Sequence, residues 1–245
     1  MTSPDDTAEP PDRTAPSTHA TTGQPPYDSP AQPPYDTVLF DLDGTLTDSA
    51  PGILDALAYM AERLRITITP EQQRRMLGPP FLDSFPRVLG LDTETTQRGI
   101  AIYRERYLQV VLSGNRVFDG IPELLSDLVA CGVVLALATS KPLPTATAVV
   151  EHFDLAQAFT VLGGATFDGR IDTKSEVIAS VLPQLPEPGR LVLVGDRAED
   201  VRGAAAHGFD CIGVGWGYGT AEELRDAGAV VYAPTVPDLR ALLLP

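Results

Sequence analysis

At 245 residues the chain is long enough for one large domain or two small ones around a substantial core. Its 33 acidic against 18 basic residues leave a net charge of −15, which argues against nucleic acid or an anionic membrane surface as partner, since both must be met with lysine and arginine. No apolar run approaches the ~18 residues of a membrane span, and two distant cysteines, Cys131 and Cys211, offer neither a disulfide framework nor a zinc site.

Both cysteines read as small buried apolar residues of a reduced compartment. The N-terminus has no basic start and no apolar stretch, so a secretory leader is not expected and the location reads as cytoplasmic. Residues 1–36 stand apart: nine prolines among threonine, serine, alanine and aspartate, with almost no aliphatic side chain. Such a stretch cannot bury enough apolar surface to offset its ordering entropy, and a disordered tail is expected. Within it a short repeat, Gln24-Pro-Pro-Tyr-Asp-Ser29 and Gln32-Pro-Pro-Tyr-Asp-Thr37, lacks the P-x-x-P spacing of a groove-binding segment.

From Thr37 the texture changes. Thr37–Phe40 is a short apolar run that meets an acidic cluster, Asp41-Leu-Asp43-Gly44. Similar runs recur at 133–138, 191–194 and 211–214, each the length of a fully buried strand. Between them lie amphipathic patterns. Residues 123–129 place Leu124, Leu125 and Leu128 on one face after Pro122, and Thr173/Glu176 and Thr220/Glu223 have the spacing of capping boxes. Buried strands alternating with helices predict an α/β fold on a Rossmann-like parallel sheet. Residues 50–116 break the alternation and read as helices only. Ile53, Leu54, Leu57, Met60 and Leu64 form one stripe, Thr69-Pro70 opens a second helix, and 96–112 supplies a third. The division expected is a tail over 1–36, a core over 37–49 and 117–245, and a helical module over 50–116 at the sheet edge.

In parallel sheets, ligands bind at the carboxyl ends of the strands, and here those ends carry chemistry. The first presents Asp41 and Asp43, whose i, i+2 spacing points both carboxylates one way in extended chain. The second presents Thr139, Ser140 and Lys141, and a later one presents Asp196, with Asp200 four residues on. Lys174 opens a helix. Carboxylates, a hydroxyl and an ammonium on one crevice describe a site for magnesium and phosphate, because hard oxygen ligands suit Mg²⁺ and the cations neutralise a phosphoryl dianion. Only two of the 18 basic residues are lysines, Lys141 and Lys174, in a chain that otherwise uses arginine. A compact ammonium at Lys174 points to a role that a planar guanidinium does not fill, whereas Lys141, before Pro142, reads equally as a phosphate contact or as an exposed turn.

Residues 38–49, Val-Leu-Phe-Asp-Leu-Asp-Gly-Thr-Leu-Thr-Asp-Ser, resemble the first motif of the haloacid dehalogenase-like hydrolase superfamily. Ala138-Thr-Ser140, Lys174 and Val194-Gly-Asp-Arg-Ala-Glu-Asp200 are similar to its second, third and fourth motifs, in that order. The stretches Gly78-Pro-Pro-Phe81, Ser140-Lys-Pro142 and Asp168-Gly-Arg170 look most like the members called phosphoglycolate phosphatases. The resemblance implies an α/β core with a small all-helical cap and a Mg²⁺-dependent phosphatase acting on a small phosphorylated metabolite. It implies Asp41 as the nucleophile that takes up the phosphoryl group, and Asp43 as the acid and base. Thr139 would hydrogen-bond the phosphoryl, and Lys174 would hold Asp41 and offset charge on the phosphoryl oxygens. Asp41, Asp43 (through its backbone carbonyl) and Asp196 would hold the metal, with Asp200 a ligand or a partner behind one. Ser140, Lys141 and Phe81 are the substrate-binding candidates.

Within that superfamily a dehalogenase would not need Asp43, and a phosphonate-cleaving member would need a cap lysine, of which 50–116 has none. A sugar-phosphate mutase is the alternative enzyme, although no histidine follows the first motif before His152. A non-enzymatic phosphoacceptor domain is the alternative outside enzymes, although its acidic pair and phosphorylated aspartate come from different strands. The alternating Gly213, Gly215, Gly217 and Gly219 do not fit a nucleotide loop and read as close strand packing. Oligomeric state is not legible.

Overall fold

The apolar runs become neighbouring parallel strands. In the computed structural model, which describes residues 32–245, the sheet has the order β5-β4-β1-β6-β7-β8 and every pairing is parallel. Its strands are β1 (Thr37–Phe40), β4 (Val134–Pro142), β5 (Val161–Ala165), β6 (Leu191–Gly195), β7 (Asp210–Val214) and β8 (Val231–Ala233). The chain moves outward from β1 through β4 to β5, then returns to the other flank of β1 and continues through β6, β7 and β8. Strand order therefore reverses at β1, which opens a crevice at its carboxyl end.

Side chains alternate with period two across this sheet. Val38 and Phe40 of β1, Leu135 and Leu137 of β4, and Val192 and Val194 of β6 join one apolar cluster, while Leu39, Ala136, Ala138 and Leu193 join the other. The first face is covered by α5 (Ile121–Ala130), α6 (Leu143–His152) and α10 (Val236–Leu243) through residues such as Leu125, Val149 and Leu239. The second is covered by α7 (Lys174–Val181), α8 (Ala198–Ala206) and α9 (Ala221–Ala227) through Ile178, Val201 and Leu224. Phe40 and Leu39 are fully buried, each worth about 1.5–3 kcal/mol in transfer from water. Burial of β1 on both faces fixes the carboxylates that follow it.

The helical stretch consists of α1 (Ala50–Leu64), α2 (Pro70–Met76), α3 (Phe81–Ser84) with a five-residue π turn to Leu89, and α4 (Thr93–Val110). Thr69 caps α2 in a reciprocal box with Gln72, as the Thr69-Pro70 signal predicts. Entry and exit are joined by a short antiparallel ribbon of β2 (Thr47–Asp48) and β3 (Arg116–Val117), with Asp48 bonded to Arg116 at 3.0 Å. At its base Gly52 N–H donates to the Gly114 carbonyl at 2.9 Å, an approach that a Cβ on Gly114 would block.

Several readings change. The ribbon β2–β3 and strands β5 and β8 were not expected: β5 is interrupted by Gly163-Gly164, and β8 is three residues with Tyr232 exposed. The side chain of Thr220 caps α9, but the carboxylate of Glu223 turns away to Arg197 at 2.8 Å, so the box is one-sided. Asp36 accepts from the Arg190 backbone N–H at 2.7 Å and Pro33 from its guanidinium at 3.0 Å, so the end of the segment read as tail is tied to the sheet. Its remainder, with the first copy of the repeat, lies outside the described residues. Cys211 is buried on β7, but Cys131 is exposed at the end of α5, against the expectation for both. Among the described residues no helix is long and apolar enough to cross a membrane.

Candidate active site

Three adjacent strands deliver the reactive groups. Asp41 follows β1, with its N–H bonded to the Val194 carbonyl of β6 at 3.0 Å, so the ladder runs on into the acidic motif. Thr139 lies on β4, where the pairing with β5 shifts register between Thr139 and Pro142. That irregularity redirects Ser140 and Lys141, and both line the crevice. Asp196 follows β6, and Asp200 lies in the first turn of α8, where its Oδ2 accepts from the Arg197 N–H at 3.0 Å.

Oxygens of Asp41, Asp196 and Asp200 lie within 4.8 Å of one another, all buried. Burial pushes the Asp41 carboxyl up to about 6, with Lys174 pulling the other way. Burial, then the neighbouring Asp200 and Asp41, raise Asp196 well above the carboxylate range. Three buried carboxylates against one nearby ammonium are a donor set short of positive charge, which fits a hard divalent cation. The pocket is built to hold these oxygens in place. Asp196 accepts from the Thr45 hydroxyl at 3.2 Å and from the Tyr218 N–H at 2.7 Å. Gly44, at φ +84°, and Gly217 both sit where a Cβ would overlap the Asp196 carboxylate.

The two lysines are 5% and 7% exposed, which rules out a role as solvated surface groups. Thr173 caps α7 in a full box with Glu176, placing Lys174 at the first helical position. From there its Nζ donates to Asp41 Oδ1 at 2.6 Å and the Ala138 carbonyl at 2.7 Å, and lies 2.8 Å from Asp200 Oδ1. Two of the three ammonium protons are taken by Asp41 and the Ala138 carbonyl, while Asp200 Oδ1 contributes its charge at ion-pair distance, so Lys174 acts through charge and by holding Asp41. Lys141 Nζ pairs with Asp43 Oδ2 at 2.8 Å and donates to the Tyr107 hydroxyl of α4. It is thus buried between the sheet and the helical stretch, not exposed in a turn. Thr139 Oγ1 accepts from the Lys141 N–H at 3.2 Å, leaving its own proton free for an acceptor in the crevice.

Phe81 lies away from the carboxylates. Its ring stacks on Phe85 at 4.7 Å and meets Tyr103 edge-on at 4.5 Å, and it lines a larger cleft that adjoins the crevice through Asp43, Gly78, Ser140 and Lys141. The structure therefore gathers Asp41, Asp43, Thr139, Ser140, Lys141, Lys174, Asp196 and Asp200 in one place, and sets Phe81 in the neighbouring wall.

The sequence matches the haloacid dehalogenase-like hydrolase family over residues 35–208. The chain is a haloacid dehalogenase-like hydrolase. A Mycobacterium tuberculosis protein named tyrosine-protein kinase PtkA is 44% identical to it over 211 residues, covering 84% of this chain and 72% of that one. A Pseudomonas aeruginosa 5'-nucleotidase is 39% identical over 209 residues, covering 84% and 94%. A crystal structure described as a predicted phosphatase from Clostridium acetobutylicum superposes with a TM-score of 0.80 at 37% identity, covering 84% and 97%. Proteins named phosphoglycolate phosphatase are also among the relatives, in keeping with the branch that the motifs suggested. The hydrolase is a phosphatase, acting on phosphoric monoesters.

Some residues of the site escape sequence reading. Thr45 sits inside the first motif, yet its bond to Asp196 needs β6 beside β1. Tyr107 reads as a core aromatic of α4, and only the docking of α4 against β4 turns its hydroxyl to Lys141. Gly217 and Gly219 press on Asp196, whereas Gly213 and Gly215 pack on Leu224 and Tyr232, so half of the alternating glycines serve the site. His207 bonds the Ser175 carbonyl at 2.8 Å in a structural role.

Proposed function

We propose that this hydrolase is a Mg²⁺-dependent phosphatase of a small phosphorylated metabolite that works through an aspartyl phosphate. The observation that carries the reading is the trio Asp41, Lys174 and Asp200, with Asp196 completing a buried acidic cluster. Asp41, Asp196, the Asp43 carbonyl and, by its proximity, Asp200 would hold Mg²⁺. That ion would supply positive charge against the phosphoryl oxygens.

The chain's own residues divide the remaining work. An oxygen of Asp41 attacks phosphorus, and the bond from phosphorus to the alcohol oxygen breaks. Asp43, which lines the same crevice as Asp41, gives that oxygen a proton. The Thr139 hydroxyl donates to the phosphoryl group, and Lys174 keeps Asp41 aimed. Water then attacks phosphorus, Asp43 takes the water's proton, and the bond to Asp41 breaks. Lys141 and Asp43 are paired at 2.8 Å, so that pair opens when either group turns to the substrate. The helical stretch 50–116 would act as the cap, since Tyr107 reaches the Lys141 ammonium from α4.

Phosphate release from a panel of phosphomonoesters, with Mg²⁺ and with a chelator, tests the reading. We expect turnover only with the metal, and Asp41→Asn to fall below about 1% of it while staying folded by circular dichroism. Activity above about 10% in that variant would remove Asp41 as nucleophile. Transfer to tyrosine, which the name of the mycobacterial relatives would suggest, would appear as labelled tyrosine from ATP without free phosphate.

A further inference from the structure

The larger cleft bears on which alcohol the phosphate is attached to. It opens off the crevice, sharing Asp43, Gly78, Ser140 and Lys141 with it, so whatever fills it is continuous with a phosphoryl group at Asp41. Beyond those residues Met76, Phe81, Ile100 and Tyr103 give it an apolar inner wall, with Arg104, Thr145, Thr166 and Asp172 the polar members of the lining. At its mouth Leu82, Leu108 and Phe167 are held in water at 48%, 58% and 43% exposure. Single exposed apolar side chains are ordinary, but three around one opening form a patch that needs a partner.

Cationic groups in this cleft are few and engaged. Lys141 is paired with Asp43 and Tyr107. Arg104 lies over the Phe167 ring at 5.3 Å and donates to the Phe167 carbonyl at 3.3 Å. Asp172 adds a carboxylate to the lining. A second anionic group on the substrate, such as the carboxylate of phosphoglycolate, would meet the Asp172 carboxylate in the lining and would have to draw Arg104 off the Phe167 ring to find a counter-charge. The Phe81, Tyr103 and Tyr107 rings, arranged edge-on and stacked, instead offer an aromatic wall.

Resting on the phosphatase reading, we propose that the preferred substrate is the phosphomonoester of an uncharged aromatic alcohol, with its ring seated in this cleft.

Benzyl phosphate and phosphoglycolate test this, because both leave as alkoxides. Their non-hydrolysable counterparts, 2-phenylethylphosphonate and 3-phosphonopropanoate, report binding by calorimetry in Mg²⁺ without turnover. The aromatic phosphonate is expected to bind at least about tenfold more tightly, and benzyl phosphate to show a correspondingly higher kcat/KM. The double variant Leu108→Ala/Phe167→Ala removes only exposed side chains, and is expected to shrink the preference about fivefold or more. Equal or reversed affinities of the two phosphonates overturn the proposal, as does a preference unchanged in the double variant. The two readings fail separately. Loss of the preference with phosphate still released removes the aromatic substrate alone. A retained binding preference with no phosphate released from either ester removes the phosphatase reading and leaves the cleft assignment standing.

Discussion

A carboxylate proposed to hold a metal is only as well placed as the atoms around it, and at Asp196 these include glycines beside the Thr45 hydroxyl and the Tyr218 N–H. Gly217 has no room for a methyl group: a Cβ there would run into the Asp196 side chain and the Gly44 carbonyl. Neither neighbour is the free end of a flexible chain. We therefore expect Gly217→Ala to raise the Mg²⁺ concentration for half-maximal phosphate release by about tenfold, in line with losses on disturbing groups behind a ligand. An unchanged Mg²⁺ titration would show that Asp196 is held without this contact. Residues of this kind mark the limit of what the sequence reveals. Asp41, Asp43, Thr139, Asp196 and Lys174 are legible because each ends a strand or opens a helix whose pattern is visible locally. Thr45, Tyr107 and Gly217 acquire their roles only from elements far apart in the chain.

Lys174 depends on its helix as much as on its charge. An ammonium at a helix N-terminus is opposed by the helix dipole, and here it is offset by Asp41 and Asp200. The box between Thr173 and Glu176 fixes the first turn of α7, and with it the point from which the side chain reaches the strand ends. Thr173→Ala should cost about 1 kcal/mol, a fall in Tm of about 2–4 °C for a chain of this size. It should also lower kcat more than it raises KM, since Lys174 holds Asp41, the proposed nucleophile; an unchanged kcat would show that α7 holds its register without the cap. This capping box was visible in the sequence because its two residues are three apart. Strand β5 was not, because paired glycines within it remove the side chains on which strand patterns rest, even though they admit Val181 and the Lys141 carbonyl closely. The two-residue strands β2 and β3 are too short to carry any period.

Over the whole molecule, negative charge dominates, with a net of −15, so an anionic substrate gains nothing from the long-range field. Cation binding and pH should then be tightly linked. Asp41 is pushed up to about 6 in the fold, so its contribution to stability is full below about pH 4 and is lost as pH rises through 6. A divalent cation favours the ionised carboxylates, so the stabilisation it brings grows over the same interval. Millimolar Mg²⁺ should raise Tm more at about pH 7.5 than at about pH 5. Equal gains at both would mean that the ion binds elsewhere. The architecture was legible at this scale too, from strand-length apolar runs separated by amphipathic helices and one interval without strands. The ribbon that closes that interval has a further consequence. Because Thr47 pairs with Val117 and Asp48 with Arg116, the chain leaves the sheet and comes back to it at a single point. The segment between can therefore grow, shrink or be exchanged without altering the path of any strand, so the helical wall of the larger cleft can diversify while the strand ends that carry Asp41, Thr139 and Asp196 stay as they are.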